Sequence, residues 1–302
     1  MATVKLAMAA LAMSAVAESA SAAISVRDDA GQAITLREPA QRIVSLAPHA
    51  TELIFAAGAG ERLVGVLAGS SHPDAARSIP IVGDAHAIDL ERIVVLKPDL
   101  VVTWPYTTPA QVEKLKQRGI SVFVSDPPTI DGIATNIERL GMLSGSEAAA
   151  GESASRFRAE IAKARHESTR PRVRAFYQIW ARPVFTVGGG HLITQALDHC
   201  GADNVFASLR IAAPQVSVEA VVAARPDTII AGADRAQKPS WLDDWKRWTT
   251  LPAVRDQLLQ TVDADKLHRP GPRFASGVAD LCAVVEKARR EVPKNNTNAA
   301  KY

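Results

Sequence analysis

The chain has 302 residues, 47% apolar and 22% charged, with 18 glycines and 18 prolines, a composition that excludes collagen-like, coiled-coil and wholly disordered chains. Its length corresponds to about two domains of ordinary size. With 35 basic and 32 acidic side chains the net charge is +3, and the basic residues are scattered instead of forming a phosphate-tracking stripe, so nucleic acid is not an expected partner.

Residues 1–22 read as an export signal: Lys5 supplies positive charge, Leu6 to Ala17 is apolar apart from Ser14, and Ala20-Ser21-Ala22 offers small residues for cleavage. Such a run is shorter than the roughly 20 apolar residues a membrane span needs. The mature chain is expected to start near Ala23 and to work outside the cytoplasm.

From Ile43 onward, short β-branched runs alternate with helical patterns. IVSLA (43–47) precedes a helix ending at Gly58, LVGV (63–66) and LVVTW (100–104) follow, and a helix through Lys116 leads to ISVFVS (120–125). The rhythm returns with VRAFYQIW (173–180), VFTV (184–187) and TIIAG (228–232). Strands alternating with helices predict parallel sheets covered on both faces, an α/β class. Between the two series, residues 146–168 are rich in Ala, Glu, Lys and Arg, with Ser146 as candidate N-cap and Pro171 beyond the end. This predicts one helix of about 35 Å joining the lobes. The expected plan is an N-terminal lobe over 23–145, a linking helix over 146–170, a C-terminal lobe over 171–293 and a disordered tail over 294–302.

An internal echo supports two lobes of one design. DLERIVVLKPDLVV (89–102) and SVEAVVAARPDTII (217–230) align at a constant offset, matching Glu91 with Glu219, Pro98 with Pro226 and Asp99 with Asp227. Asp89 and Ser217 are candidate N-caps, placing each glutamate at the second helical position, where the dipole favours a carboxylate. Leu90, Ile93 and Val94, like Val218, Val221 and Val222, are spaced to face a sheet. The glutamates either stabilise their own helix starts or form a matched pair for a two-fold partner with basic sockets.

The only cysteines are Cys200 and Cys282. Outside the cytoplasm a bridge between them is the expected state, with two buried thiols as the alternative. No GxSxG, HExxH or GxxxxGK[ST] motif occurs, so no enzyme signature is present. The polar and aromatic residues instead gather just beyond strand ends, where parallel sheets bind ligands. They are Pro48, His49 and Ala50, then Asp84 and His86, Trp104 and Tyr106, Trp180, and finally Asp265 and Arg269. Trp104, Tyr106 and Trp180 suit the walls of a large flat or apolar ligand, core packing being the alternative for each. Trp241, Trp245 and Trp248 are spaced for one helical face on the second lobe.

The phrases RIVSLAPHATELIFAAGAGERLVGV (42–66), IDLERIVVLKPDLVVTW (88–104), LDHCGADNVF (197–206), APQVSVEAVVAARPD (213–227) and HRPGPR (268–273) resemble the periplasmic vitamin B12-binding proteins that serve ABC importers, within the wider group binding iron siderophores and haem. The resemblance covers nearly all of the mature chain. It implies two Rossmann-like lobes bridged by one rigid helix, cobalamin or a related corrinoid as transported guest with no resident cofactor or metal, a periplasmic location, a monomer, and delivery to a permease dimer. It also implies the Cys200–Cys282 disulfide, docking of Glu91 and Glu219 onto permease arginines, and ligand contacts from Trp104, Asp265 and Arg269. Three aromatic positions of that pocket are here Gly69, Ala85 and Ala213, with Trp180 and Tyr106 as candidates to refill the space. Haem or a ferric siderophore is the alternative guest, Tyr106 or a histidine then being a candidate iron ligand, although Asp84 stands where several haem binders resembling this group carry tyrosine.

Overall fold

The computed structural model describes residues 23–165, 170–233 and 238–291. The export signal, the tail and the end of the expected linking helix therefore lie outside the described residues. A hairpin of β1 (Ile24–Arg27) and β2 (Ala33–Leu36) opens the chain. Next come β3 (Ile43–Ser45), α1 (Pro48–Ala56), β4 (Leu63–Val66), α2 (Leu90–Val95), β5 (Leu100–Thr103), α3 (Pro109–Lys116) and β6 (Ser121–Val124). Their strands form a parallel sheet in the order β4-β3-β5-β6.

Two helices follow, α4 (Ile130–Ser144) and α5 (Glu147–Ala164), and then β7 (Val173–Trp180), β8 (Phe185–Thr186), α6 (Leu192–His199), β9 (Ala202–Asn204), α7 (Val218–Ala224) and β10 (Thr228–Ala233). The chain closes with α8 (Pro252–Arg255), β11 (Leu259–Asp263), α9 (Ala264–Leu267) and α10 (Phe274–Glu291). The second sheet runs β11-β10-β7-β8, with β9 also on β7. It is not wholly parallel as expected: β8 pairs antiparallel with β7, because four residues between them allow only a hairpin, while a parallel return needs a crossover of a dozen or more. The WLDDWKRW segment coils as a 3-10 helix over Ser240–Arg247, with Trp245 buried edge-on to Phe176.

The linking helix differs from expectation in length and company. α5 spans 18 residues, about 27 Å, and Arg165 is already extended. Ser146 does not cap it by side chain; its hydroxyl donates to Ala57 O at 2.6 Å, tying the helix start to α1. At the other end His199 Nε2 on α6 donates to Ile161 O at 2.8 Å. α4, which the sequence pattern left unassigned, lies against it, and the two approach so closely that a Cβ on Gly141 would stand 2.3 Å from Ala150 Cβ. The linking helix α5 is thus anchored in one lobe at its start and in the other at its end, with α4 of the first lobe packed along it.

The sequence echo is an echo of structure. Asp89 and Ser217 accept from Arg92 N and Ala220 N as N-caps, and Glu91 and Glu219 stand exposed at the second position of α2 and α7. Each helix stops at a left-handed residue, Lys97 (φ 46°) and Arg225 (φ 44°), before its proline. Each is then clasped to the first strand of its sheet. Asp99 accepts from Arg42 N at 3.1 Å while Arg42 Nε donates to Leu96 O at 2.8 Å; Asp227 accepts from Arg174 N at 2.9 Å while Arg174 Nη2 donates to Ala224 O at 2.7 Å. Val94 departs from its expected inward face and is 37% exposed, because a helix of six residues offers the sheet little more than Leu90 and the fully buried Ile93.

Cys200 and Cys282 form a disulfide that joins α10 to the end of α6. Among the described residues no helix is long and apolar enough to cross a membrane. Gly141→Val is expected to lower stability by about 1 to 3 kcal/mol, the usual penalty of overpacking, measured as a fall in urea midpoint.

Candidate functional site

Parallel strands deliver their following loops to one edge of each sheet, and here the two edges face each other across the lobe boundary. The clearest evidence is α1, which starts directly after β3. Glu52, one turn into it, is 2% exposed, and its carboxylate accepts from Arg273 Nε at 2.9 Å and Nη2 at 2.6 Å. Arg273 immediately precedes α10 in the other lobe. The two-pronged geometry is the strong form of a carboxylate–guanidinium contact, and the shared carboxylate raises the Arg273 pKa. Arg269 lies beside it, with Nη2 on Asp265 at 2.8 Å and Nη1 3.9 Å from Glu52. Gly271 fits between the lobes with its Cα side toward Glu52 and His49 O; a Cβ there would contact both at 3.4 to 3.6 Å.

His49 occupies the first turn of α1, 2% exposed, with Nε2 3.4 Å from Ser125 O. Burial, reinforced by the charge of Arg269 and opposed by the Ser125 contact, lowers its pKa to about 4. It is a neutral ring at physiological pH. Its ring lies 5.8 Å from that of Trp104, which in turn lies 4.7 Å from Tyr106, both pairs tilted. Thus the ends of β3 and β5 build one aromatic wall, half-buried at Trp104 and 78% exposed at Tyr106, the combination expected of a surface prepared for a large apolar face.

The other predicted residues divide. Asp265 and Arg269 pair with each other at the end of β11 and stand with the wall through the contact of Arg269 with Glu52 and its charge on His49. Pro48 begins α1 and is partly exposed, but Ala50 is fully buried in the N-terminal core, so no side-chain contact with a ligand is open to it. Asp84 turns onto its own loop, accepting from His86 N at 2.8 Å and Ala87 N at 3.0 Å, bonds that lower its pKa. His86 is exposed on the same loop. Trp180 is 62% exposed at the end of β7, and no ring contact joins it to the Trp104 wall.

Sequence reasoning missed two groups. Glu52 was legible in principle, as the lone carboxylate in the otherwise mostly apolar α1 (PHATELIFA, 48–56), since a charge on a buried face requires a partner; which partner was not. Tyr177, fully buried on β7, meets His268 Nε2 at 3.0 Å. Gly232 makes room for this pair, because a Cβ there would come within 2.6 Å of the His268 ring.

Residues 43–265 match the family model described as periplasmic binding protein. The vitamin B12-binding protein of Vibrio parahaemolyticus is 36% identical over 247 residues, 81% of this chain and 89% of the relative. That of Yersinia pestis is 33% identical over 238 residues, covering 78% and 82%. Among solved structures, the periplasmic vitamin B12-binding protein of Vibrio cholerae aligns with a TM-score of 0.76 at 35% identity, covering 83% of this chain and 99% of that one. The haem-binding protein of Roseiflexus sp. RS-1 aligns at 0.72 and 26% identity, covering 82% and 99%.

The buried neutral His49 makes stability depend on pH. Its folded pKa lies below the unfolded value of 6.5, so the unfolded chain binds the extra proton between those limits and stability falls as pH drops from about 6.5 to about 4, by roughly 3 kcal/mol. His49→Gln is expected to reduce the slope of that part of the urea-midpoint against pH curve, the remainder coming chiefly from His191, whose pKa burial also lowers to about 4.

Proposed function

Because the chain belongs to the periplasmic binding protein family, we propose that it captures cobalamin or a related corrinoid in the interlobe cleft and delivers it, chemically unchanged, to an ABC importer of the inner membrane. It is a substrate-binding protein and not an enzyme, as its relatives are. The observation that carries the corrinoid reading is the tilted His49–Trp104–Tyr106 wall standing beside the Asp265–Arg269 pair, within a chain related over four-fifths of its length to proteins named for vitamin B12. Indole and phenol rings pack on the apolar rim of a macrocycle, and charged donors and acceptors take its polar arms. The ligand is cargo, released intact, and the working form is a monomer in the periplasm.

Glu91 and Glu219 complete the reading. They are exposed, matched in position, and carried on helices whose starts lie at the ligand-binding edge of each sheet. A permease dimer with one basic socket per subunit meets both at once.

One observation favours haem or a ferric siderophore as second reading: the Tyr106 phenol is 78% exposed at the cleft, and a tyrosine is an established kind of haem-iron ligand. Absorbance titration with cyanocobalamin, haemin and a ferric siderophore separates the readings, and tight binding of cyanocobalamin alone is the expected result. Trp104→Ala is expected to weaken cyanocobalamin binding at least tenfold by calorimetry, and an unchanged Kd would refute the wall. The Glu91→Ala, Glu219→Ala double variant is expected to keep its Kd while uptake into proteoliposomes carrying the cognate importer falls severalfold.

A further inference from the structure

Beside the Asp265–Arg269 pair a buried phenol holds an exposed imidazole. Tyr177 is fully buried on β7, and among the described residues the one hydrogen-bond partner of its hydroxyl is His268 Nε2, at 3.0 Å. His268 caps the end of α9 and is exposed; the next residue, Arg269, comes within 3.9 Å of Glu52 in the other lobe, so the imidazole stands at the lobe boundary. The two rings meet edge-on, their centroids 5.9 Å apart. Gly232 on β10 lies against the Cε1–Nε2 edge, where a Cβ would come within 2.6 and 2.7 Å of those atoms. That edge is therefore turned into the protein. Nδ1 has no hydrogen-bond partner among the described residues.

The phenol decides which nitrogen of the imidazole carries the proton. A buried hydroxyl left without an acceptor costs about 1 to 3 kcal/mol, and Nε2 is the acceptor that Tyr177 reaches. Desolvation, opposed by the charge of Asp265, lowers the His268 pKa, so at neutral pH the ring is neutral and holds one proton. With the Nε2 lone pair taken by the phenol, that proton sits on Nδ1. We propose that Tyr177 is a positioning residue that fixes His268 as an Nδ1–H donor at the cleft, and that His268 selects cargo bearing an acceptor oxygen; this rests on the corrinoid reading, on which that oxygen is the carbonyl of a carboxamide arm. A donor built to meet such an oxygen discriminates against a guest that lacks it, because the donor is then left unpaired. Arg269 spends Nη2 on Asp265, whereas Nδ1 of His268 is uncommitted. Since neither nitrogen keeps a lone pair to give, the same arrangement excludes His268 as an axial ligand of the cargo metal.

Nitrogen-15 magnetic resonance of histidine-labelled protein at about pH 8, where imidazole is neutral, tests the tautomer, with His268→Gln to assign the signal. The proton is expected on Nδ1, and a proton on Nε2 overturns the proposal. Tyr177→Phe should turn the signal into a mixture of the two tautomers, a change that lost packing alone does not produce; an unchanged signal refutes the positioning role. By calorimetry His268→Ala should weaken cyanocobalamin about fivefold, the worth of one hydrogen bond. His268→Asn, whose amide nitrogen reaches the place of Nδ1, should recover most of that loss, and equal Kd values for parent and His268→Ala overturn the donor role. Bound aquocobalamin, whose cobalt carries an exchangeable water, should give one visible spectrum in parent and His268→Ala; a difference marks coordination and refutes the assignment. Should Tyr177→Phe fail to fold, the parent tautomer and the His268 variants decide. A parent that binds haemin but not cyanocobalamin overturns the corrinoid reading alone, and the same variants are then measured with haemin, a propionate being the acceptor. A parent that binds neither overturns both.

Discussion

A carboxylate taken out of water must meet a cation that comes with it, and Glu52 meets its cation on the opposite lobe. The Glu52 side chain is 2% exposed and the Arg273 side chain 24%, so the pair lies within the floor of the cleft instead of on its rim. Removing one partner from such a pair typically costs about 3 to 5 kcal/mol, a penalty that falls on the lobe boundary. The consequence runs outward from that point. Arg269 is held beside the pair and turned onto Asp265, His49 stays neutral beneath them, and Trp104 and Tyr106 stack outward from His49 toward solvent.

The two lobes reach this common edge by the same local construction. In each, a short helix is capped at its start by a side-chain oxygen, broken by a left-handed residue before proline, and clasped through an Asp–Arg pair to the neighbouring strand. The repetition matters because a six- or seven-residue helix has little stability of its own. Fastened at both ends, α2 and α7 present Glu91 and Glu219 as fixed points rather than as tips of fraying turns.

The fold was legible wherever a local pattern carried the physics. The β-branched runs became strands β3 to β7 and β10 because alternation of such runs with helical patterns admits few other packings. Asp89 and Ser217 became caps because their side chains reach backbone donors three residues away, a distance written in the chain itself. The same reasoning failed where neighbours in space decide: Val94 is shed from a helix too short to cover its sheet, β8 runs antiparallel because its connection is short, and α5 ends before the composition does.

Of the candidate site, residue type and strand-end position were readable from sequence, which is how His49, Trp104, Tyr106, Asp265 and Arg269 were singled out as candidates. By itself the amino-acid sequence determined two like lobes, the edge at which each exposes its polar and aromatic residues, and the family to which they belong. Only the tertiary structure decided which of those residues meet. It turned Asp84 onto its own loop, sealed Ala50 in the core, and paired Glu52 with Arg273 more than 200 residues away. Pairing across a boundary depends on the relative placement of two bodies, and no periodicity within either body encodes that.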